Sequence, residues 1–163
     1  MSAGGGGSRR AKSLSRSQAR LAAVQALYQM DLAETDLAAV IEEFKAHRLG
    51  IDSDNGTGAE ADAEHFAGVL KGVVRRQREI DPMIDQQLAE GWRLTRIDSI
   101  VRAILRAAAF ELIELKEVPP RVVISEYIDV AHAFFEGDEP RVVNGVLDAL
   151  ARKLRPGELP ERG

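Results

Sequence analysis

Arg9, Lys12, Arg16 and Arg20 follow one another at spacings of three and four near the start of the chain. At about 100° per residue they fall within about 80° of one another on a helix, a positive stripe along one side. The chemistry such a stripe serves is the capture of phosphates, and each contact to a nucleic-acid backbone releases condensed counterions. Arg10 adds a fifth cation, and no acidic residue occurs in the first 30 positions, although the whole chain holds 22 Lys and Arg against 26 Asp and Glu, a net charge of −4. The distribution is that of an acidic body with a basic arm, which points to an interaction segment for a polyanion. A solvated basic leader without a partner would carry the same pattern, because short basic runs are common.

A second group of residues lies far away in sequence. Arg102 and Arg106 are one helical turn apart, opposite an apolar stripe, and "AFFEGDEPR" puts Phe134, Phe135 and Arg141 at a corner between two helices. Consecutive aromatics point about 100° apart on a helix, so the two rings cannot both enter one core. One of them is free to stack on a splayed base, as in the recognition of single-stranded RNA; packing at the rim of a core explains the pair equally well.

Catalytic chemistry finds less support. With no cysteine, the chain has no disulfide, thiolate metal site or cysteine nucleophile, in keeping with a reducing, cytoplasmic setting. His65 and His132 each end an Asp-x-x-His, "DAEH" and "DVAH", but a di-metal bundle site also needs inward carboxylates on two further helices, and the candidate core faces carry none. Ser13, Ser15 and Ser17 have no nearby histidine or glutamate to activate them. Gly4 to Gly7 are not followed by the Lys-Ser/Thr of a phosphate-binding loop. No metal, no cofactor and no enzymatic activity are therefore expected. The longest apolar stretch, "AILRAAAFELIEL", is broken by Arg106, Glu111 and Glu114, so neither a signal peptide nor a membrane span is expected.

The elements that must position these residues read as helices throughout. "MSAGGGGS" is glycine-rich, and residues 1–14 are expected to be a flexible leader. From about Ser15 a first helix places Leu21, Val24, Leu27, Tyr28 and Leu32 on one face. Thr35 or Asp36 caps a second, "LAAVIEEFKAH", and residues 49–62 read as a loop. A third helix, about 63–79, presents Phe66, Val69, Leu70, Val73 and Val74. Asp81 as cap and Pro82 at the first helical position predict a fourth. A fifth, from Ile97 to Leu115, keeps an apolar stripe for five turns and should be the central core helix. "RVVISEYIDVAHAFF" makes the sixth and residues 140–154 the seventh. The expected class is all-α: seven helices in two packed bundles, about 15–80 and 81–156, followed by a flexible tail over 157–163.

Four blocks, "AVQALYQMD" (23–31), "ILRAAAFELI" (104–113), "VPPRVVISEYIDVAHAFF" (118–135) and "RVVNGVLD" (141–148), stand in the order and spacing that resemble the NusB family of bacterial transcription antitermination factors. The likeness runs from about Arg16 to Pro156. It implies an all-helical fold without enzymatic activity. It also implies a partner, the ribosomal protein NusE, with which the boxA element of nascent ribosomal RNA is held as a single strand, and a larger complex with NusA, NusG and RNA polymerase. Position by position, Arg16 and Arg20 match the family's arginine-rich motif, which Ser17 and Gln18 interrupt and to which Arg9, Arg10 and Lys12 add from further out. Tyr28, Arg106, Phe134, Asp138 and Arg141 match residues on or near the family's RNA-facing surface. Val142 stands where an aromatic is frequent, and Ser125 replaces a usual asparagine.

The last block contains a conflict. Asn-Gly between apolar residues is a strong hairpin signal, whereas Val142, Val143, Val146, Leu147 and Leu150 follow helical spacing. The helix is expected to prevail, with Gly145 permitting close approach of a neighbouring helix and Asn144 hydrogen-bonding the connection from Phe134 to Glu139. Two other functions suit the same sequence: the RNA-binding helical module of a ribosomal RNA methyltransferase system, and a homodimeric helical scaffold with no RNA role.

Overall fold

Aspartates start three of the helices. The carboxylate of Asp36 accepts the backbone N–H of Ala39 at 3.3 Å, that of Asp62 the N–H of His65 at 2.9 Å, and that of Asp98 the N–H groups of Ile100 and Val101 at 2.7 and 3.3 Å. Each satisfies donors that the first helical turn leaves unpaired. The computed structural model describes residues 4–49, 62–89 and 93–161, with side chains from residue 15 onward. Its α-helices are α1 (Gly4–Ala33), α2 (Leu37–His47), α3 (Ala63–Gln87), α4 (Ser99–Glu114), α5 (Pro120–Phe134) and α6 (Glu139–Leu154), with one 3-10 turn over Leu94–Arg96. No strand occurs among the described residues.

The described residues form six α-helices rather than seven, because the expected third and fourth are one. Pro82 lies inside α3. A proline there removes the hydrogen bond to the carbonyl four residues earlier, but Pro82 and Arg78, whose carbonyl is released, are both exposed. Ile80 and Ile84 on either side are fully buried, so burial of one face holds the helix through the break. Asp81 is consequently no cap. Helix α1 also departs from expectation by beginning at Gly4 rather than about Ser15. Extending an existing helix needs no new nucleus, and Arg9, Arg10, Ala11, Lys12 and Leu14 are good helix formers; its continuation through Gly4 to Gly7 runs against their own propensity. Residues 1–3 of the expected leader lie outside the described residues.

The chain divides into two compact units, Met1–Lys71 and Gly72–Gly163, a boundary within α3 rather than at its proline. In the first, α1 packs on α2. The buried face of α1 is lined by Ala19, Ala22, Ala23, Val24, Ala26 and Leu27, while Leu32, expected on that face, is 60% exposed. Phe44 of α2 stacks on Phe66 of α3 at 5.3 Å between ring centroids.

In the second unit α4, α5 and α6 pack on one another. Helix α4 is the core helix its stripe predicts, buried at nearly every position from Val101 to Leu112. Gly72 of α3 lies directly against α4: a Cβ built there would sit 1.9 Å from Cε1 of Phe110. Polar groups are buried only with partners. The Tyr127 hydroxyl donates to Glu111 at 2.5 Å. The guanidinium of Arg155 donates to the carbonyls of Leu112, Lys116 and Val118 and pairs with Glu158, in the stretch read as a tail.

Candidate nucleic-acid interface

Position 20 falls on the side of α1 that carries Ala23, Val24 and Leu27, at offsets of three, four and seven residues. Arg20 is accordingly buried, 2% exposed, and is not an accessible phosphate contact. The expected stripe is corrected here for a plain reason: the alanines, not Leu21, Tyr28 and Leu32, define the packed face, rotating the helix so that Arg20 turns inward. Arg16, one turn earlier, remains 46% exposed. Its Nε lies 3.8 Å from Oδ2 of Asp62, and the backbone N–H of Asp62 donates to the Ser15 carbonyl at 3.0 Å. Arg9, Arg10 and Lys12 lie on α1, but their side chains are outside the described residues. Tyr28 is half-buried.

In the second unit the two arginines of α4 are engaged with the protein itself. Arg106 grips Asp81 through two parallel hydrogen bonds of 2.9 Å, with its side chain 15% exposed. Arg102 donates to the Leu94 carbonyl at 3.1 Å and to Ser99 Oγ at 3.3 Å, fastening the 3-10 turn to the start of α4. Both are placed to shape the surface rather than to present a free guanidinium.

The corner between α5 and α6 is open. Phe134 and Phe135 are both half-buried, so neither ring is absorbed by the core. Asp138 and Arg141 are 87% and 85% exposed and lie 3.9 Å apart, a loose pair in water that costs little to exchange for another anion. Asn144 and Gly145 correct the remaining expectation. Both are exposed, and among the described residues a Cβ on Gly145 would meet nothing within 4 Å and no hydrogen bond joins Asn144 to the connection from Phe134 to Glu139. The Glu139 carboxylate lies 2.8 Å from where a Cβ of Gly137 would stand.

A family profile described as the NusB family matches residues 17–152. The chain belongs to the NusB family. It is 54% identical over 140 residues to the transcription antitermination protein NusB of Allorhizobium ampelinum, covering 86% of this chain and 88% of that one. The NusB of Bartonella tribocorum is 53% identical over the same length, with 86% and 90% covered. Among solved structures, NusB of T. maritima superposes with a TM-score of 0.73 at 29% identity, covering 88% of this chain and 94% of the other. A structure of the antitermination factors NusB and NusE in complex with double-stranded RNA matches with a TM-score of 0.68 at 25% identity, covering 85% and 96%.

In this NusB-family chain two acidic residues near the cations escaped sequence reasoning. Asp81 reads as a cap and is not one, whereas Asp62 reads as the end of a loop and caps α3, and each also meets an arginine through a carboxylate oxygen. No spacing rule exposes either pair, since 25 and 46 residues separate the partners, and only the fold closes those distances.

Proposed function

We propose that this chain is an RNA-binding transcription antitermination factor that, with NusE, binds the boxA element of nascent ribosomal RNA. The observation that carries this is the family match over residues 17–152, with relatives above 50% identity named for antitermination. The solved structure of NusB and NusE with RNA supports both partners. No helix among the described residues is long and apolar enough to cross a membrane, which agrees with a cytoplasmic adaptor that joins NusA, NusG and RNA polymerase in the larger complex.

The exposures and partners of these side chains support the following division of the candidate contacts. Arg16, with Arg9, Arg10 and Lys12 further out on α1, supplies phosphate contacts. In the second unit Phe134, Asp138 and Arg141 supply stacking and hydrogen bonds, and in the first Tyr28 does so by itself. Arg20, Arg102 and Arg106 act indirectly, by holding the elements that carry the others. The test is a pull-down with NusE and labelled boxA RNA against a scrambled RNA of equal length. Retention of boxA in preference to the scrambled strand is expected; equal retention of the two, or no capture of NusE, overturns the proposal. A homodimeric scaffold without an RNA role would show the second outcome together with dimer mass in ultracentrifugation.

A further inference from the structure

Asp62 is held from three sides. Its N–H donates to the Ser15 carbonyl of α1 at 3.0 Å, its Oδ1 caps α3 through the N–H of His65 at 2.9 Å, and its Oδ2 is left pointing at Arg16, 3.8 Å from Nε. We propose that Asp62 is an intramolecular competitor for the anion that Arg16 receives, and so sets how tightly this arginine holds RNA. The inference rests on the reading of Arg16 as a phosphate contact.

The distances decide the direction. A separation of 3.8 Å is an ion pair but not a hydrogen bond, whereas a phosphate oxygen on a guanidinium closes to about 2.7–2.9 Å and can bind through two donors. The incoming phosphate therefore wins. Asp62 still lowers the net gain, because its charge must be displaced from Arg16 or tolerated beside the phosphate. Its position costs nothing to maintain, since the cap and the main-chain bond fix the carboxylate whether or not Arg16 is engaged. Exposed pairs of this kind are worth between nothing and about a fivefold change in an equilibrium.

The test uses the full chain with NusE and a fluorescently labelled single-stranded boxA RNA, read by anisotropy at about 50 and 200 mM salt, where screening lengths differ about twofold. Asp62→Asn keeps the capping oxygen, because asparagine caps as well as aspartate, and removes the charge. Asp36→Asn makes the same charge change at the α2 cap, where no arginine lies within ion-pair distance among the described residues. Asp62→Asn should tighten binding about two- to fivefold at the lower salt, beyond any gain in Asp36→Asn, and the excess should vanish when Arg16 is alanine. Asp62→Ser, another capping side chain, should do the same. Equal gains in Asp62→Asn and Asp36→Asn, or a gain that survives Arg16→Ala, overturn the competitor role while leaving Arg16 a phosphate contact. If Arg16→Ala alone changes neither affinity nor salt dependence, the phosphate contact itself fails, and the competitor with it.

Discussion

Two helical glycines of the same chain, Gly72 buried and Gly145 exposed, should respond in opposite directions to the same added methyl. At Gly72 the new Cβ would lie 1.9 Å from Cε1 of Phe110 and 2.4 Å from both Cδ1 and Cζ. Carbon atoms rest about 3.5–4.0 Å apart, so the ring has to retreat by about 1.6–2.1 Å. Phe110 is only 4% exposed and is flanked on α4 by Ala107, Ala108, Ala109 and Glu111, all buried. A close-packed interior offers no room for that retreat, and overpacking typically costs about 1–3 kcal/mol. The required shift puts Gly72→Ala near the upper end, and the gain in helix propensity returns about 1 kcal/mol. The net loss is about 2 kcal/mol, or a fall of about 4–8 °C in melting temperature for a chain of this size. At Gly145, and likewise at Gly68, a Cβ meets nothing within 4 Å. There only the propensity term operates, and alanine should raise the melting temperature by about 2–4 °C. Thermal unfolding followed by circular dichroism reads all three variants. Replacing Phe110 by leucine in the Gly72→Ala background should recover part of the loss, as coupling between touching residues requires. A Gly72→Ala protein as stable as the parent, or losses of equal size at positions 72 and 145, would refute the close crossing of α3 and α4.

Arg16→Ala should weaken boxA binding and flatten the dependence of log affinity on log salt by about 0.7, the value of one phosphate contact on a single strand; Arg20→Ala should instead lower the melting temperature, as expected of a buried side chain. Arg155→Ala strands the carbonyls of Leu112, Lys116 and Val118, and at about 1–3 kcal/mol for an unsatisfied buried group should cost at least about 3 kcal/mol by urea unfolding. Tyr127→Phe removes the hydroxyl from Glu111 and should cost about 1–3 kcal/mol in the same assay. Hydrogen bonds from Arg75 and then Arg76 hold the Glu114 carboxyl below the usual carboxylate range; a lowered pKa in the folded state means the stabilisation is present above the unfolded value and is lost as pH falls through the folded one, so the melting temperature should drop on acidification less steeply in Glu114→Gln than in the parent.

How far the sequence carries depends on the range of the forces involved. The spans of α2, α4, α5 and α6 agree with their sequence limits to within two residues, because aspartate caps, the Pro119–Pro120 pair and continuous stripes act over one or two turns. Pro82 and Arg20 mislead for a common reason. Each is assigned by a local rule, proline as helix start and arginine as surface charge, and each is overruled by burial of its neighbours, Ile80 and Ile84 in one case, Ala23, Val24 and Leu27 in the other. Alanine is the weak point of periodicity arguments: it carries little hydrophobic weight, yet it lets helices approach, so the packed face of α1 keeps Val24 and Leu27 but is turned towards the alanines and away from Leu32.

The site shows the same division more sharply. Arg16, Asp138 and Arg141 are exposed as their sequence context suggests and Phe134, for which the sequence allows surface or core, is half-buried, but the ties between Arg106 and Asp81, and between Arg16 and Asp62, are products of tertiary structure. The Asn144–Gly145 pair is the instructive residue of that comparison. Family likeness marks it, helical spacing overrides its hairpin signal, and neither explains it, since the fold leaves both residues exposed with space around the glycine. A helix that accepts about 1 kcal/mol of lost propensity at Gly145 without using the room inside its own unit shifts the reason for that glycine away from internal packing. The stability gain expected for Gly145→Ala is therefore also a functional test: if that variant melts higher and still binds NusE and boxA RNA with unchanged affinity, the glycine serves neither partner, whereas a stabler protein with weakened binding places a partner's surface against that turn of α6.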